Sequence, residues 1–168
     1  MRTEPVFVTH GFGPFFRPDS RWLILGSFPS VRSREASFYY AHPRNRFWKI
    51  LAAVFEDGVP EETEAKQAFL IRHRVALYDV IESCRITGSS DSSIRDVTVT
   101  DLRPVLAGSG VGDRVFANGA RAFDLYMRWQ YPVTGIHPVK LPSSSPANAA
   151  WPLDRLTGVW RGALKGVV

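Results

Sequence analysis

Apolar positions in this chain fall in short unbroken blocks separated by amphipathic stretches. Trp22-Leu23-Ile24-Leu25, Val75-Ala76-Leu77-Tyr78-Asp79-Val80 and Arg114-Val115-Phe116-Ala117 are the blocks. Apolar runs without polar alternation are the pattern of strands covered on both faces, as in a parallel sheet. Ile136 to Leu141 forms a fourth block, interrupted by Pro138, which predicts a strand at a sheet edge. Between the blocks the period changes. Phe47, Ile50, Leu51 and Val54 recur at helical spacing within 46–55, and Asp57-Gly58-Val59-Pro60 stops that helix. Glu61 to His73 predicts a second helix, with acidic residues in its first turn and Arg72, His73 and Arg74 at its end, the order that complements the helix dipole. Thr100 is placed to cap a short helix over 101–107, and further helices are predicted over 120–129 and about 153–164. Strands alternating with helices predict an α/β fold, a three-layer α/β/α sandwich around a short, mainly parallel four-stranded sheet. No repeat or linker divides the 168 residues, a length suited to one domain.

Two stretches read as non-regular. Residues 1–20, rich in Gly, Pro and Phe, predict an arm that packs aromatics onto the domain. Ser83 to Asp96, containing Gly88-Ser89-Ser90-Asp91-Ser92-Ser93, reads as one long polar loop, either a pocket wall or a flexible segment. Three loops follow predicted strands: Gly26–Pro29, Asn118-Gly119 and Pro142–Asn148. In a parallel sheet such loops share one edge, where α/β proteins bind ligands. Their polar groups are hydroxyls and amides, joined by the imidazole of His42; no carboxylate pair, Ser-His-Asp set or metal cluster is evident. That set suits holding a neutral polar ring and steering a water. His10, His73 and His137 read as structural or exposed.

Composition sharpens the partner. The chain is 45% hydrophobic and 22% charged, in the globular range. It carries 21 Lys and Arg against 16 Asp and Glu, and all but Lys49, Lys66, Lys140 and Lys165 of the basic residues are Arg. A GC-rich genome would also favour Arg, but the guanidinium fork fits phosphates and base edges. Arg32, Arg34, Arg44, Arg46 and Lys49 face only Glu35 in sequence and flank Phe38, Tyr39 and Tyr40. Aromatic faces beside guanidinium groups are what an unstacked base and its phosphates need. Cys84 is the only cysteine, which excludes an intrachain disulfide and a Cys-ligated zinc or iron–sulfur cluster within one chain. No signal peptide or bilayer-spanning run is evident. The expectation is a soluble monomer in a reducing, cytoplasmic compartment, without a metal and without attachment to a membrane.

Three motifs carry a resemblance. Gly-Ser-Phe-Pro-Ser (26–30), Phe-Tyr-Tyr-Ala-His-Pro-Arg-Asn-Arg-Phe-Trp (38–48) and Leu-Pro-Ser-Ser-Ser-Pro-Ala-Asn-Ala (141–149) resemble the uracil-DNA glycosylase superfamily. The likeness is to its hypoxanthine-DNA (deoxyinosine) glycosylase branch, and Leu77–Ile81 with Gly88–Ile94 adds to it. It spans roughly residues 20–162. The resemblance implies one DNA glycosylase domain over 1–168 that flips a deaminated base from the duplex, reads it in a pocket and hydrolyses its N-glycosidic bond with a water, using no cofactor.

The same resemblance implies the site. Where mismatch-specific uracil/thymine glycosylases have a water-positioning Asn in the first motif, this chain has Phe28, and a phenyl ring cannot orient a water. The deoxyinosine branch instead uses the Asn of a His-Pro-x-Asn loop, here Asn45; as a residue before a helix, Asn45 also reads as a cap. Tyr40 matches the aromatic that stacks on the base in mismatch-specific relatives, and Phe28 covers another face; core packing is the alternative for both. Gly26, Ser27, His42 and Asn118 complete the implied base pocket, although His42 equally reads as fixing its loop and Asn118-Gly119 as a plain turn. Arg44, Ser143, Ser144, Ser145, Pro146 and Asn148 are implied at the DNA, the serines on phosphates and Pro146–Asn148 at the gap left by the base. An ordinary turn and a helix cap would account for the same loop. Three other functions fit less well: a uracil/thymine mismatch glycosylase, a non-cleaving DNA-binding relative, and a hydrolase of free nucleosides.

Overall fold

The computed structural model describes residues 4–87 and 91–166. In chain order the elements are β1 (Val6–Thr9), β2 (Trp22–Gly26), α1 (Val31–Ala36), α2 (Phe47–Val54), α3 (Thr63–His73), β3 (Val75–Asp79), β4 (Ile81–Ile86), β5 (Arg95–Val99), α4 (Arg103–Ala107), β6 (Val115–Asn118), α5 (Ala120–Leu125), α6 (Tyr131–Thr134), β7 (Val139–Leu141) and α7 (Leu153–Gly166). The apolar blocks form a four-stranded parallel sheet in the order β3-β2-β6-β7, with β7 at the edge. Leu23, Ile24, Leu25, Ala76, Leu77 and Phe116 are fully buried in it, as unbroken apolar runs require. Helices flank the sheet in an α/β/α arrangement. Phe47 at the start of α2 meets Trp160 of α7 edge-on, with ring centroids 5.8 Å apart.

A second sheet was not legible from the hydrophobic pattern. β1, β4 and β5 pair antiparallel in the order β1-β4-β5, so the two ends of the passage expected as one long loop, residues 83–86 and 95–96, belong to strands. Gly88, Ser89 and Ser90 of that passage lie outside the described residues. Two register irregularities, between Ile81 and Ser83 and between Ser83 and Arg85, break the period-2 pattern that would have marked β4. β1 leaves Val6 and Phe7, two of its three apolar side chains, exposed, so it does not read as a core strand. The rest of the arm does pack aromatics inward: Phe12, Phe15 and Phe16 lie against the core.

Other boundaries moved for physical reasons. Thr100 does not cap α4; its buried hydroxyl donates to the carbonyls of Asp79 and Val80, at 2.7 and 3.2 Å, and the Asp101 carboxylate instead accepts the Arg103 N–H at 3.1 Å. The helix expected over 120–129 continues through a π-helical turn (Tyr126–Gln130) into α6. The Tyr126 hydroxyl donates to the Ile136 carbonyl at 2.8 Å and bonds Thr134, which ties the added turn down until Gly135 ends it in the left-handed region. Ser30 caps α1, a short helix without a sequence signal long enough to mark it.

Candidate active site

The carboxyl ends of β2, β3, β6 and β7 open into one cavity of about 1150 Å³. The loops after β2, β6 and β7 converge there, joined by α1 and the 40–45 loop. Gly26, Ser27, Phe28, Tyr40, His42, Asn45, Asn118, Ser143, Ser144, Ser145, Pro146 and Asn148 all line it. Arg44 does not, and stands exposed beside it.

Asn45 is held by two bonds to its amide oxygen. The oxygen accepts the Phe47 N–H at 3.0 Å, which anchors it at the first turn of α2, and the Ser144 hydroxyl at 2.8 Å. A backbone N–H can only donate, so the oxygen is the atom facing α2. Asn45 is therefore a helix-start ligand and a cavity residue at once. Its two oxygen lone pairs are engaged, and its NH2 group is the part left to hold a water or a substrate oxygen. Ser144 in turn accepts from the Asn118 amide NH2 at 2.9 Å, and its own N–H donates to the Asn118 oxygen at 3.0 Å. Asn45, Ser144 and Asn118 thus form one hydrogen-bonded line across the cavity wall.

Ser144 is buried, and both its polar groups point into that line. Ser143 and Ser145 use their hydroxyls to accept from the N–H groups two residues on, fixing the loop's own turns at 3.1 and 3.2 Å. The Asn148 side chain donates to the Ser143 carbonyl at 3.1 Å. Arg46, which the sequence offered only as one basic residue among five, fastens this loop. Its guanidinium donates to the carbonyls of Ser145 at 2.9 Å, Asn148 at 3.0 Å and Trp151, and its backbone N–H donates to Ser144 at 3.1 Å.

The aromatic residues divide their faces. Tyr40 stacks on buried Phe47, with centroids 3.9 Å apart and planes 16° off parallel, so one face rests on the core. Its backbone is left-handed (φ 53), which turns the ring out of the run of core aromatics before it. Phe28 has the Arg34 guanidinium 5.5 Å above its ring. The His42 Nδ1 accepts the Arg44 N–H at 3.1 Å, which fixes the loop and makes Nε2–H the donor that remains.

Sequence reading missed two residues. Asp79, the last residue of β3, is buried and lines the cavity, and its Oδ2 lies 2.7 Å from Nε2 of fully buried His10. His10 arrives on β1, whose pairing with β4 continues as the His10 N–H donates to the Glu82 carbonyl at 2.7 Å. The imidazole stands among Phe12, Tyr39 and Tyr78, with centroid distances of 4.4, 5.8 and 5.2 Å. The two residues are 69 positions apart, so no local motif joins them. The available signal was a carboxylate at the carboxyl end of an otherwise apolar strand. Asp79 also accounts for Gly26: a Cβ there would stand 2.5 Å from Asp79 Oδ1 and 3.0 Å from the Tyr40 hydroxyl. Burial, with Asp79 nearby, pushes the Tyr40 hydroxyl above the usual phenol range, so it remains a protonated donor.

The fold has known counterparts. Residues 14–162 match the uracil DNA glycosylase superfamily, and the chain belongs to that superfamily. Within it, the chain is 29% identical over 157 residues to a protein of Methanosarcina acetivorans named Hypoxanthine DNA glycosylase, covering 88% of this chain and 93% of that one. A protein of the same name from Methanosarcina barkeri is 33% identical over 93 residues, 55% of this chain and 59% of the relative. A solution NMR structure of a candidate uracil DNA glycosylase from Methanosarcina acetivorans superposes with a TM-score of 0.73 at 26% identity, over 94% of this chain and 99% of the other.

Proposed function

We propose that this chain is a monofunctional DNA glycosylase that removes a flipped deaminated base, first of all hypoxanthine from deoxyinosine, and leaves an abasic site. The observation that carries the reading is the Asn45 amide, fixed by Phe47 and Ser144 with its NH2 group open to the cavity. The names of the two Methanosarcina relatives support hypoxanthine as the base. Phe28 occupies the position where a uracil-directed relative would hold its water, and it supplies no hydrogen bond.

The chemistry follows from the donors. Leaving of the base gives the sugar oxocarbenium character and puts negative charge on the base, so fixed dipoles aimed at those charges accelerate the step. Asn45 donates to the water oxygen and holds a lone pair toward the anomeric carbon. With its own oxygen engaged, it positions the water rather than taking its proton. Once the sugar is cationic the water oxygen bonds C1′, the C1′–N bond having broken with its electron pair on the base, and the water's proton passes to the departed base anion. His42 Nε2–H is a donor for the departing base or an adjacent phosphate. DNA with a deaminated base is the substrate, one copy of the chain the acting unit and the cytoplasm its compartment.

The test is excision from end-labelled oligonucleotides carrying one deoxyinosine or one uracil, with alkali to break abasic sites. The wild-type protein is expected to cut at deoxyinosine, and Asn45→Ala to lose at least about 100-fold in rate with folding retained. A near-normal rate in Asn45→Ala ends the assignment of the catalyst. Cutting mainly at uracil moves the substrate to the other branch, and binding without cutting of either makes the chain a DNA-binding relative.

A further inference from the structure

The loop after β7 runs past Asn148 to Trp151, whose half-buried side chain lines the cavity and packs against the core. The backbone there is fixed twice. The Trp151 N–H donates to the Asn148 carbonyl at 3.2 Å, and the Trp151 carbonyl accepts the Arg46 guanidinium. One helical turn further on, at the start of α7, Arg155 lays its guanidinium over the indole, with its carbon 3.8 Å from the ring centroid. Among the described residues the next cation over a ring is Arg128 on Trp129, at 4.8 Å. At 3.8 Å the planar group lies flat on the ring, because a fork standing edge-on would hold its carbon farther away. Arg155 is exposed, and among the described residues it has no hydrogen bond and no carboxylate partner. One face of its guanidinium is covered by Trp151, and the other is bare.

We propose that the Trp151–Arg155 stack is a second base subsite, on which a base beside the flipped nucleotide lies flat. This subsite rests on the glycosylase reading and adds to it a further part of the strand that the protein holds. When one nucleotide leaves the stack, its neighbour loses the partner on one face. A guanidinium plane replaces that partner whichever base it is, since every base has a π-face. Trp151 supplies what Arg155 alone lacks. It holds a long side chain in one plane, so that ordering entropy is lost on folding rather than on binding. Arg46 ties Trp151 to the loop that carries Ser144, which bonds Asn45, so platform and cavity wall are joined. A single strand lays a base on the platform freely, whereas a duplex must first give up a base pair.

The test is a double-mutant cycle on single-stranded oligonucleotides that carry deoxyinosine on a 2′-fluoroarabino sugar, which slows loss of the base. The nucleotide on either side of it is kept or replaced by a baseless tetrahydrofuran residue, and affinity is measured for wild type, Arg155→Lys and Arg155→Ala. In wild type, removing the flanking base on one side is expected to weaken binding about 10-fold. In Arg155→Lys, which keeps the charge and loses the plane, the same removal should cost less than about 2-fold. A flanking base that costs nothing to remove on either side, or costs the same in both proteins, overturns the subsite. So does an Arg155→Lys protein that binds like wild type while Arg155→Ala weakens every oligonucleotide alike with a salt slope shallower by about 0.7, which is the mark of a phosphate contact. Arg155 is exposed, so both variants are expected to fold. Excision from ordinary deoxyinosine and deoxyuridine oligonucleotides is measured alongside. A wild-type protein that excises yet shows no flanking-base effect leaves the glycosylase standing without this subsite. A wild-type protein inactive on both overturns the glycosylase reading and the subsite with it.

Discussion

Three serines stand in a row at 143–145, and the fold gives the middle one a different task from its neighbours. Ser144 joins Asn45 to Asn118, and among the described residues no other side chain bonds both amides. Ser144→Ala should leave the Asn118 NH2 without its bond and let the Asn45 side chain turn. The expected loss is about 1–3 kcal/mol of stability and about 10- to 100-fold in excision, read by urea unfolding and single-turnover kinetics on the same sample. Loss of stability with unchanged excision would show that Asn45 is held well enough by Phe47 alone. The sequence marked Ser144 as polar and near the site, but not as buried. A serine run looks the same whether its hydroxyls face a phosphate or an amide 99 residues away. His10 and Asp79 were hidden for the same reason. Tyr40, His42 and Asn45 were legible because they sit in one continuous motif, so the chain itself places them together, and Phe28 because it follows directly on a predicted strand.

Among the elements, the parallel strands announced themselves and the antiparallel ones did not. β2, β3 and β6 of the parallel sheet are covered on both sides and are apolar nearly throughout, whereas β4 mixes buried Ser83 and Cys84 with exposed Arg85. That second sheet also carries function, since β1 delivers His10 to the cavity. The loop after β7 depends on another element altogether. Arg46, at the start of α2, reaches three of its carbonyls with one planar group. Arg46→Lys keeps the charge, but a single ammonium on a flexible stem cannot reproduce the fork. Excision should fall about 10-fold while the melting transition moves by only a few degrees, and protease cleavage within 143–151 should accelerate. A variant with wild-type cleavage kinetics at that loop would mean that the loop's internal turns hold it without the arginine.

On the whole molecule the charges are distributed to favour a polyanion lying across the cavity mouth. The net charge is +5, and Arg32, Arg44, Arg121 and Lys140 are exposed on or beside the rim. Among the described residues none of these four is paired with a carboxylate, whereas Arg72, Arg74, Arg85 and Arg103 elsewhere on the surface are. Arg34 is already committed, to the Pro29 carbonyl and the face of Phe28. A cation held by a carboxylate releases little counterion when DNA arrives; an unpaired one releases it fully. Four such contacts predict a slope of log affinity against log salt of about −3.6 on duplex and about −2.8 on single strands. Arg121→Ala should make the duplex slope shallower by about 0.9 and weaken every sequence alike, because a phosphate contact carries no base information. The preference for deoxyinosine over deoxyuridine should be unchanged in that variant, since a cation that meets only phosphate does not touch the base. A slope near zero, measured by titrating binding between 50 and 300 mM salt (about the range over which such slopes are linear), would mean that the DNA does not cross this face. A lost base preference in Arg121→Ala would mean that rim and floor are one coupled site.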